Sequence, residues 1–385
     1  MPTIPEYAVG IEHQGQLPDR SKEMKLTILA GDIGGTKTSL RLVSVEVGGT
    51  GHSAPVLTTL SEKTYASKNF SDLVPMVHQF MKEAAESSGV VSAVDHACFG
   101  IAGAVSANAS ELTNLSWSLS GERLENALAI PRVTLINDFA AIGYGIFGLQ
   151  KGESATLQDA PPDPTAPIAV IGAGTGLGEG FLIPGPDGTY HAFSSEGGHT
   201  DFAPQSDLEF QLLQYLREKN NLPRVSVERV VSGTGIASIY QFFRDANPKE
   251  ESAAMAEKYQ LWSREIGKKD KTVDLAAEVS KAALAGGDFL CEQTMNLFVR
   301  AYGAEAGNLA LKMLPFGGLY LAGGIAPKIL PMLQQEVFMK AFCNKGRMRL
   351  QLEKIPVHVI LNPKVGLIGA VLRGVREKMS IATQG

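Results

Sequence analysis

The sequence predicts an α/β protein built from two related lobes with a cleft between them. Three observations point there. Strand-like apolar runs at Leu26–Ala30 and Ile168–Ile171 each lead into a glycine-rich turn that carries a threonine. Each turn is followed by a returning apolar run, so the two parts of the chain open in the same way. Glycine is abundant, 41 of 385 residues, against roughly 7 % in average usage, and much of the excess falls in those turns.

The elements follow in order. Leu26–Ala30 runs into Gly31-Asp32-Ile33-Gly34-Gly35-Thr36-Lys37, and Leu40, Leu42, Val43 and Val45 continue as a second strand. Two strands about a Gly-Gly turn make a hairpin. Ser71–Ser88 reads as an amphipathic helix with Leu73, Val77, Phe80, Met81 and Ala84 on one face. Ser71 is its expected cap, Pro75 is tolerated in the first turn, and Gly89 follows its end. His96–Gly103 and Val133–Ile136 are strand-like, the latter ending in Asn137-Asp138 before a helical stretch. In the second part, Ile168–Ile171 leads to Gly172-Ala173-Gly174-Thr175-Gly176-Leu177-Gly178, and Phe181–Ile183 returns. Asp207–Lys219 and Asp288–Leu314 read as long helices, and Gly318–Ala322 as a strand ending in Gly323-Gly324. The charged stretch Arg244–Thr272 reads as an exposed helical insert or lid. Pro161, Pro162, Pro164 and Pro167 mark a rigid surface linker at the boundary between the halves.

Composition excludes several classes. Length alone suggests two or three domains at roughly 150 residues each. Lys and Arg total 35 against 40 Asp and Glu, a net charge of −5, which is the wrong sign for a phosphate-neutralising nucleic-acid surface. Hydrophobic residues make up 44 %, enough for a large core. Cys98, Cys291 and Cys343 stand singly, a pattern that fits a reduced cytoplasmic protein without structural zinc or disulfides. The stretch 1–23 reads as a loosely held arm rather than a signal peptide, and no window is long and apolar enough to span a membrane.

Two phosphate-binding motifs fail on spacing. A P-loop started at Gly31 needs Gly immediately before Lys at the position held by Thr36. A dinucleotide fingerprint started at Gly172 needs Gly at the position held by Leu177. What remains is a glycine strand–turn–strand with a hydroxyl residue, present twice. Such turns point backbone N–H groups at an anion, and Thr36 and Thr175 add hydroxyl donors. The rival reading is a pair of tight turns in Gly-rich sheets.

The polar residues extend this reading. Asp138 at a helix start is favoured in its charged form by the dipole and suits acceptance of a proton from a hydroxyl during phosphoryl transfer. Its rival role is simple capping. Ser195-Glu196-Gly197-Gly198-His199 sets a carboxylate and an imidazole three residues apart, and no further His or Cys stands nearby to complete a zinc site. Glu228 alone would be an ordinary surface acid. Together, carboxylate, amide and imidazole groups suit the hydroxyls of a polyol.

At these residues the chain resembles the bacterial-type glucokinases of the hexokinase–actin–heat-shock ATPase superfamily. The resemblance is carried by Asp32-Ile33-Gly34-Gly35-Thr36, Ile136-Asn137-Asp138-Phe139, Gly172–Gly178, Glu196–Pro204, Glu228-Arg229-Val230 and Ala322-Gly323-Gly324-Ile325. These motifs come in the family's order from about residue 26 to about residue 373. The resemblance implies two ribonuclease-H-like lobes with an interlobe cleft, closing on glucose. The small lobe would comprise residues 24–148 with 366–385, the large lobe 149–365. It implies Asp138 as base for the 6-hydroxyl, with Asn137, Glu196, His199 and Glu228 holding the other sugar hydroxyls. Asn114, within Thr113–Trp117, matches a further motif near the sugar. Asp32 would serve the Mg–ATP cluster, with Gly34, Gly35, Thr36 and Lys37 as a first phosphate loop. Gly174 and Thr175 would form the second, and Gly323 and Gly324 the adenosine pocket. A cytoplasmic, glycolytic homodimer using Mg2+ with ATP is implied, with neither nucleic acid nor membrane as partner. Lys37 stands where the family often carries Asn and the related ROK sugar kinases carry Lys. The clustered cysteines of the ROK zinc signature are absent. Rival functions are a kinase for another hexose and a non-catalytic sugar- or nucleotide-binding regulator.

Overall fold

Apolar residues on both faces carry the first strand, β1 (Met24–Ile33), beyond the run Leu26–Ala30. Leu26, Ile28 and Ala30 face one core cluster, and Leu29 and Ile33 another. A strand covered on both sides reads as a continuous apolar run rather than an alternating one. The computed structural model describes residues 24–47, 56–88, 93–112, 114–268 and 272–384. The expected arm, 1–23, and Gly89 lie outside the described residues.

After β1 come β2 (Lys37–Val47), β3 (Val56–Ala66), α1 (Leu73–Ser88), β4 (His96–Ile101), β5 (Ala109–Leu112), β6 (Trp117–Ser120), α2 (Gly121–Leu128), β7 (Val133–Asn137) and α3 (Asp138–Gly145). The chain continues through β8 (Ser154–Gln158), β9 (Ile168–Ala173), β10 (Leu177–Pro184), β11 (Tyr190–Ser195), α4 (Asp207–Asn220), α5 (Gly233–Ala246), α6 (Ala253–Arg264), α7 (Leu275–Ala285) and α8 (Phe289–Met313). It ends with β12 (Gly318–Ala322), the short α9 (Leu330–Leu333), α10 (Glu336–Cys343), α11 (Arg349–Leu352), β13 (Val357–Ile360) and α12 (Val365–Gln384).

Contacts divide the chain into two compact units. One holds the chain to Lys151 with Gly180–Ser194 and the residues from Asn362; the other holds Gly152–Glu179 and Ser195–Leu361. The first unit carries a five-stranded sheet of order β3-β2-β1-β4-β7. Its β1–β2 and β2–β3 pairs are antiparallel, and β1, β4 and β7 are parallel. One face is covered by α12, whose Leu367, Ala370, Val371 and Val375 meet Ile28 and Val43. The other buries Phe80, Phe99 and Trp117. In the second unit β9, β12, β13 and β8 are consecutive sheet neighbours. Here β12 is parallel to both β9 and β13, and β8 is antiparallel to β13. The core of this unit is built on α5, α7 and the long α8.

Three local expectations change. Helix α1 starts at Leu73 rather than Ser71, and its first N–H donates to Asp72 Oδ1 at 2.7 Å. Arg244–Thr272 is not a free insert, because Met255 of α6 is buried and Tyr259 and Trp262 pack against the core. The Arg244 guanidinium lies 4.1 Å from the Tyr259 ring and bonds Glu251 at 2.8 Å, so charged side chains dock this helix rather than solvate it. The Pro161–Pro167 stretch joins β8 to β9 inside the second unit instead of separating halves. Among the cysteines, Cys98 and Cys291 are buried, and all three are free thiols.

His96 at the start of β4 is fully buried, with Nε2 2.9 Å from Thr134 Oγ1 and Nδ1 without a partner among the described residues. Burial holds its imidazole neutral, down to about 4 from the usual 6.5. Below pH 6.5 the unfolded chain takes up a proton that the folded chain refuses until about pH 4. Stability therefore falls as pH drops through that window, by up to about 3 kcal/mol from this group. His96→Gln, which keeps a polar partner for Thr134, is expected to flatten the acid slope of unfolding free energy measured in urea. An unchanged slope contradicts this assignment.

Candidate functional site

In the first unit, sheet register brings the acidic candidates to one end. Asp32 of β1 pairs with Gly100 of β4, and Ile101 pairs with Asn137 of β7. The carboxyl ends of three parallel strands are thus level, placing the Asp32 and Asn137–Asp138 backbones about 10 Å apart, two strand spacings. Ligands of open α/β sheets sit beyond such ends. Asn137 caps α3: its Oδ1 accepts from Phe139 N–H at 2.8 Å and Ala140 N–H at 3.3 Å, while Nδ2 donates to Gly103 O at 3.0 Å. Asp138 is then the first helical residue, half-buried. Capping, its rival role, falls mainly to its neighbour, with Asp138 Oδ1 sharing the Phe139 N–H at 3.0 Å. Asp32 is also half-buried, and burial raises its carboxyl above the usual range.

The first glycine turn is pinned from outside. Gly34 N–H donates to Lys37 O at 3.0 Å, and Ser67 Oγ donates to Gly34 O at 2.7 Å while lying 3.0 Å from Thr38 Oγ1. Ser67 N–H also bonds Thr36 O. Among the described residues nothing accepts from the Gly35 or Thr36 amides. Lys37 is exposed, and Asn114 lies beside Gly35, 3.8 Å from where a β-carbon there would stand. Ser67 was not foreseen, since a serine after a strand carries no signal of the turn it will brace.

The second unit repeats this turn after β9. Gly174 N–H bonds Gly176 O at 2.8 Å, and the Thr175 and Gly176 amides have no acceptor among the described residues. Gly233, opening α5, donates to Gly174 O at 2.8 Å. Gly323 has φ +80° and rests on Ala173, where a β-carbon would stand 2.4 Å from the carbonyl oxygen. A side chain there would be excluded on both counts. Gly174, Thr175, Gly323 and Gly324 are therefore brought together at the ends of β9 and β12.

The remaining candidates gather on the first residues of β10. Glu228 Oε2 accepts from Leu177 N–H at 3.0 Å. The Gly197–His199 turn lies flat on the strand: a β-carbon on Gly198 would stand 2.1 Å from Leu177 O, and one on Gly197 would stand 1.9 Å from Glu179 Oε2. Val227 N–H bonds Thr200 O, and Phe202 N–H bonds Val225 O, both at 2.9 Å, tying this turn to the segment that bears Glu228. Arg224 Nη1 adds bonds to His199 O at 2.9 Å and Asp201 Oδ1 at 3.0 Å. Glu196 and His199 end exposed, their Oε2 and Nε2 atoms 3.9 Å apart. Two carboxylates and an imidazole are thus held in a pattern suited to hydroxyl groups.

A family profile described as Glucokinase matches residues 29–376. The chain belongs to the glucokinase family. It is 58 % identical over 349 residues to a glucokinase of Synechocystis sp., covering 91 % of this chain and 98 % of that protein. Among solved structures it resembles a glucokinase from an Antarctic psychrotroph, with TM-score 0.72 and 30 % identity over 91 % of this chain and 99 % of that one. It shares its fold, at TM-score 0.55 and 20 % identity, with a ROK family glucokinase from Streptomyces griseus in complex with glucose and AMPPNP, over 91 % of this chain and 99 % of that one.

The flat seating of the turn on β10 is directly testable. Gly198→Ala sets a β-carbon against a backbone carbonyl that cannot rotate away, and is expected to cost about 1–3 kcal/mol of stability. Thermal denaturation reads this loss, and an unchanged Tm contradicts the close approach.

Proposed function

We propose that this chain transfers the terminal phosphoryl group of ATP to the 6-hydroxyl of D-glucose, with Asp138 as the base. The observation that carries the reading is the division of labour at α3: Asn137 caps the helix, leaving Asp138 at the first helical position with the positive end of the dipole beside it. The glucose O6 attacks the terminal phosphorus, its proton passes to the Asp138 carboxylate, and the bond from phosphorus to the bridging oxygen breaks. ADP and glucose 6-phosphate leave.

The other roles follow from chemistry. Asn114, Asn137, Glu196, His199 and Glu228 hold the remaining sugar hydroxyls as donors and acceptors. Gly34–Lys37 and Gly174–Thr175 hold phosphates through the amides that have no acceptor among the described residues. Gly323 and Gly324 leave room for adenosine. Asp32 fits a hard cation: its carboxyl is half-buried, raised by burial, and has no hydrogen bond among the described residues. It stands outside any group of three or more metal-ligating side chains among those residues, so Mg2+ there would be held mostly by phosphates and water. Bound there, Mg2+ would neutralise phosphate charge. The lobes proposed are ribonuclease-H-like, 24–148 with 366–385 and 149–365. A reduced cytoplasmic setting suits three free cysteines, and no helix among the described residues is long and apolar enough to cross a membrane. A homodimer completes the proposal, and sedimentation reads it.

Asp138→Ala is expected to lower kcat by roughly 10²–10⁴ or more, the scale of losing a general base, while glucose Kd by calorimetry stays within a few-fold. Turnover near wild type overturns the assignment. Glu228→Ala should raise the glucose KM by roughly tenfold, the scale of a lost charged hydrogen bond. An unchanged KM removes Glu228 from the sugar set.

A further inference from the structure

Glu179 is an ionisable residue in a buried position. It follows the second glycine turn on β10, is 2 % exposed, and its Oε1 has no hydrogen-bond partner among the described residues. Leu177 and Glu179 are two apart on the strand and so share a face. The Gly197–His199 turn rests on both, Gly198 on the Leu177 carbonyl and Gly197 on the Glu179 carboxyl. An apolar residue would fill this space without an orphaned oxygen. We propose that Glu179 is a positioning residue for hexose binding, its carboxyl forming the floor that sets the height and spacing of Glu196 and His199. The proposal rests on the reading of that turn as a sugar-binding element.

The groups facing Glu179 make its charge state responsive. From α8 come Tyr302, Glu305 and Lys312, with Glu305 accepting from Asn308 Nδ2 at 2.9 Å. Lys345 faces Glu305 in turn, and Glu196 and His199 stand on the turn itself. Burial, then Glu305, push the Glu179 carboxyl up to about 7, and Lys312 offsets part of this. Below that pH the neutral carboxyl sits under Gly197 without charge. Above it the carboxylate carries charge with Oε1 buried without a partner among the described residues and Oε2 against Gly197; this demands a donor or water, and the turn resting on the carboxylate has to lift to admit one. Glucose affinity therefore weakens as pH rises through neutrality, while the step at Asp138 is untouched by this group.

The test measures kcat and KM for glucose from pH 6 to 9 at saturating Mg–ATP, with the full chain and its Glu179→Gln, Glu179→Ala and Glu196→Ala variants. In wild type the KM is expected to rise by roughly threefold or more across neutrality, following one ionisation. Glu179→Gln keeps the shape without the charge, so its KM holds the low-pH value and loses that rise. Any dependence that stays in this variant belongs to other groups. Glu179→Ala removes the floor and raises KM at every pH, with the glutamine variant restoring it. A Glu179→Gln profile that superimposes on wild type, while Glu196→Ala raises KM, overturns the positioning role alone. An unchanged KM in Glu196→Ala overturns the sugar-binding reading of the turn and this proposal with it.

Discussion

The arrangement of the second unit's polar groups depends on one close approach, the seating of two consecutive glycines on the start of β10. With no side chains, Gly197 and Gly198 let a turn lie against Leu177 and Glu179 at distances a β-carbon forbids. Leu177 is shared: its carbonyl supports the turn and its N–H binds Glu228. Three candidate ligands, Glu196 and His199 on one turn and Glu228 on another segment, thus take their positions from two residues of one strand. Close packing of this kind transmits small displacements, because interiors are dense and the backbone offers no rotamer to absorb them.

The first unit reaches its arrangement by register rather than by contact. Parallel pairing of β1, β4 and β7 makes the ends of these strands coincide, so Asp32 and Asp138 need no direct bond to be placed. A helix cap then refines the placement, since Asn137 supplies the acceptor that α3 requires. Both units use the same local arrangement, the one proposed to hold phosphate: a buried strand, a short glycine turn with threonine, and amides without acceptors among the described residues. Each turn is braced from outside, by Ser67 in one case and by Gly233 at the start of α5 in the other.

Much of this was legible in the sequence because it follows from local rules. Strands buried on both faces read as apolar runs, and β12 matches its expected bounds, Gly318–Ala322. Helices α4 and α8 begin and end within a residue of the stretches Asp207–Lys219 and Asp288–Leu314. What was hidden depends on tertiary context. Met255, Tyr259 and Trp262 are three apolar residues in a charged stretch, too sparse to announce a docked helix. Nothing in Asn137-Asp138 says which residue caps, since both types do so equally well. Glu179 reads as a solvent residue until the turn is seen to cover it.

The proposed function requires that phosphate be transferred to glucose at a single oxygen. The most direct measurement is carbon-13 and phosphorus-31 NMR of the product formed from uniformly labelled glucose, ATP and Mg2+ by the purified chain. Coupling of a single phosphorus to carbon 6 is the predicted result. Phosphorus coupled to another carbon, or no sugar phosphate at all, would contradict it.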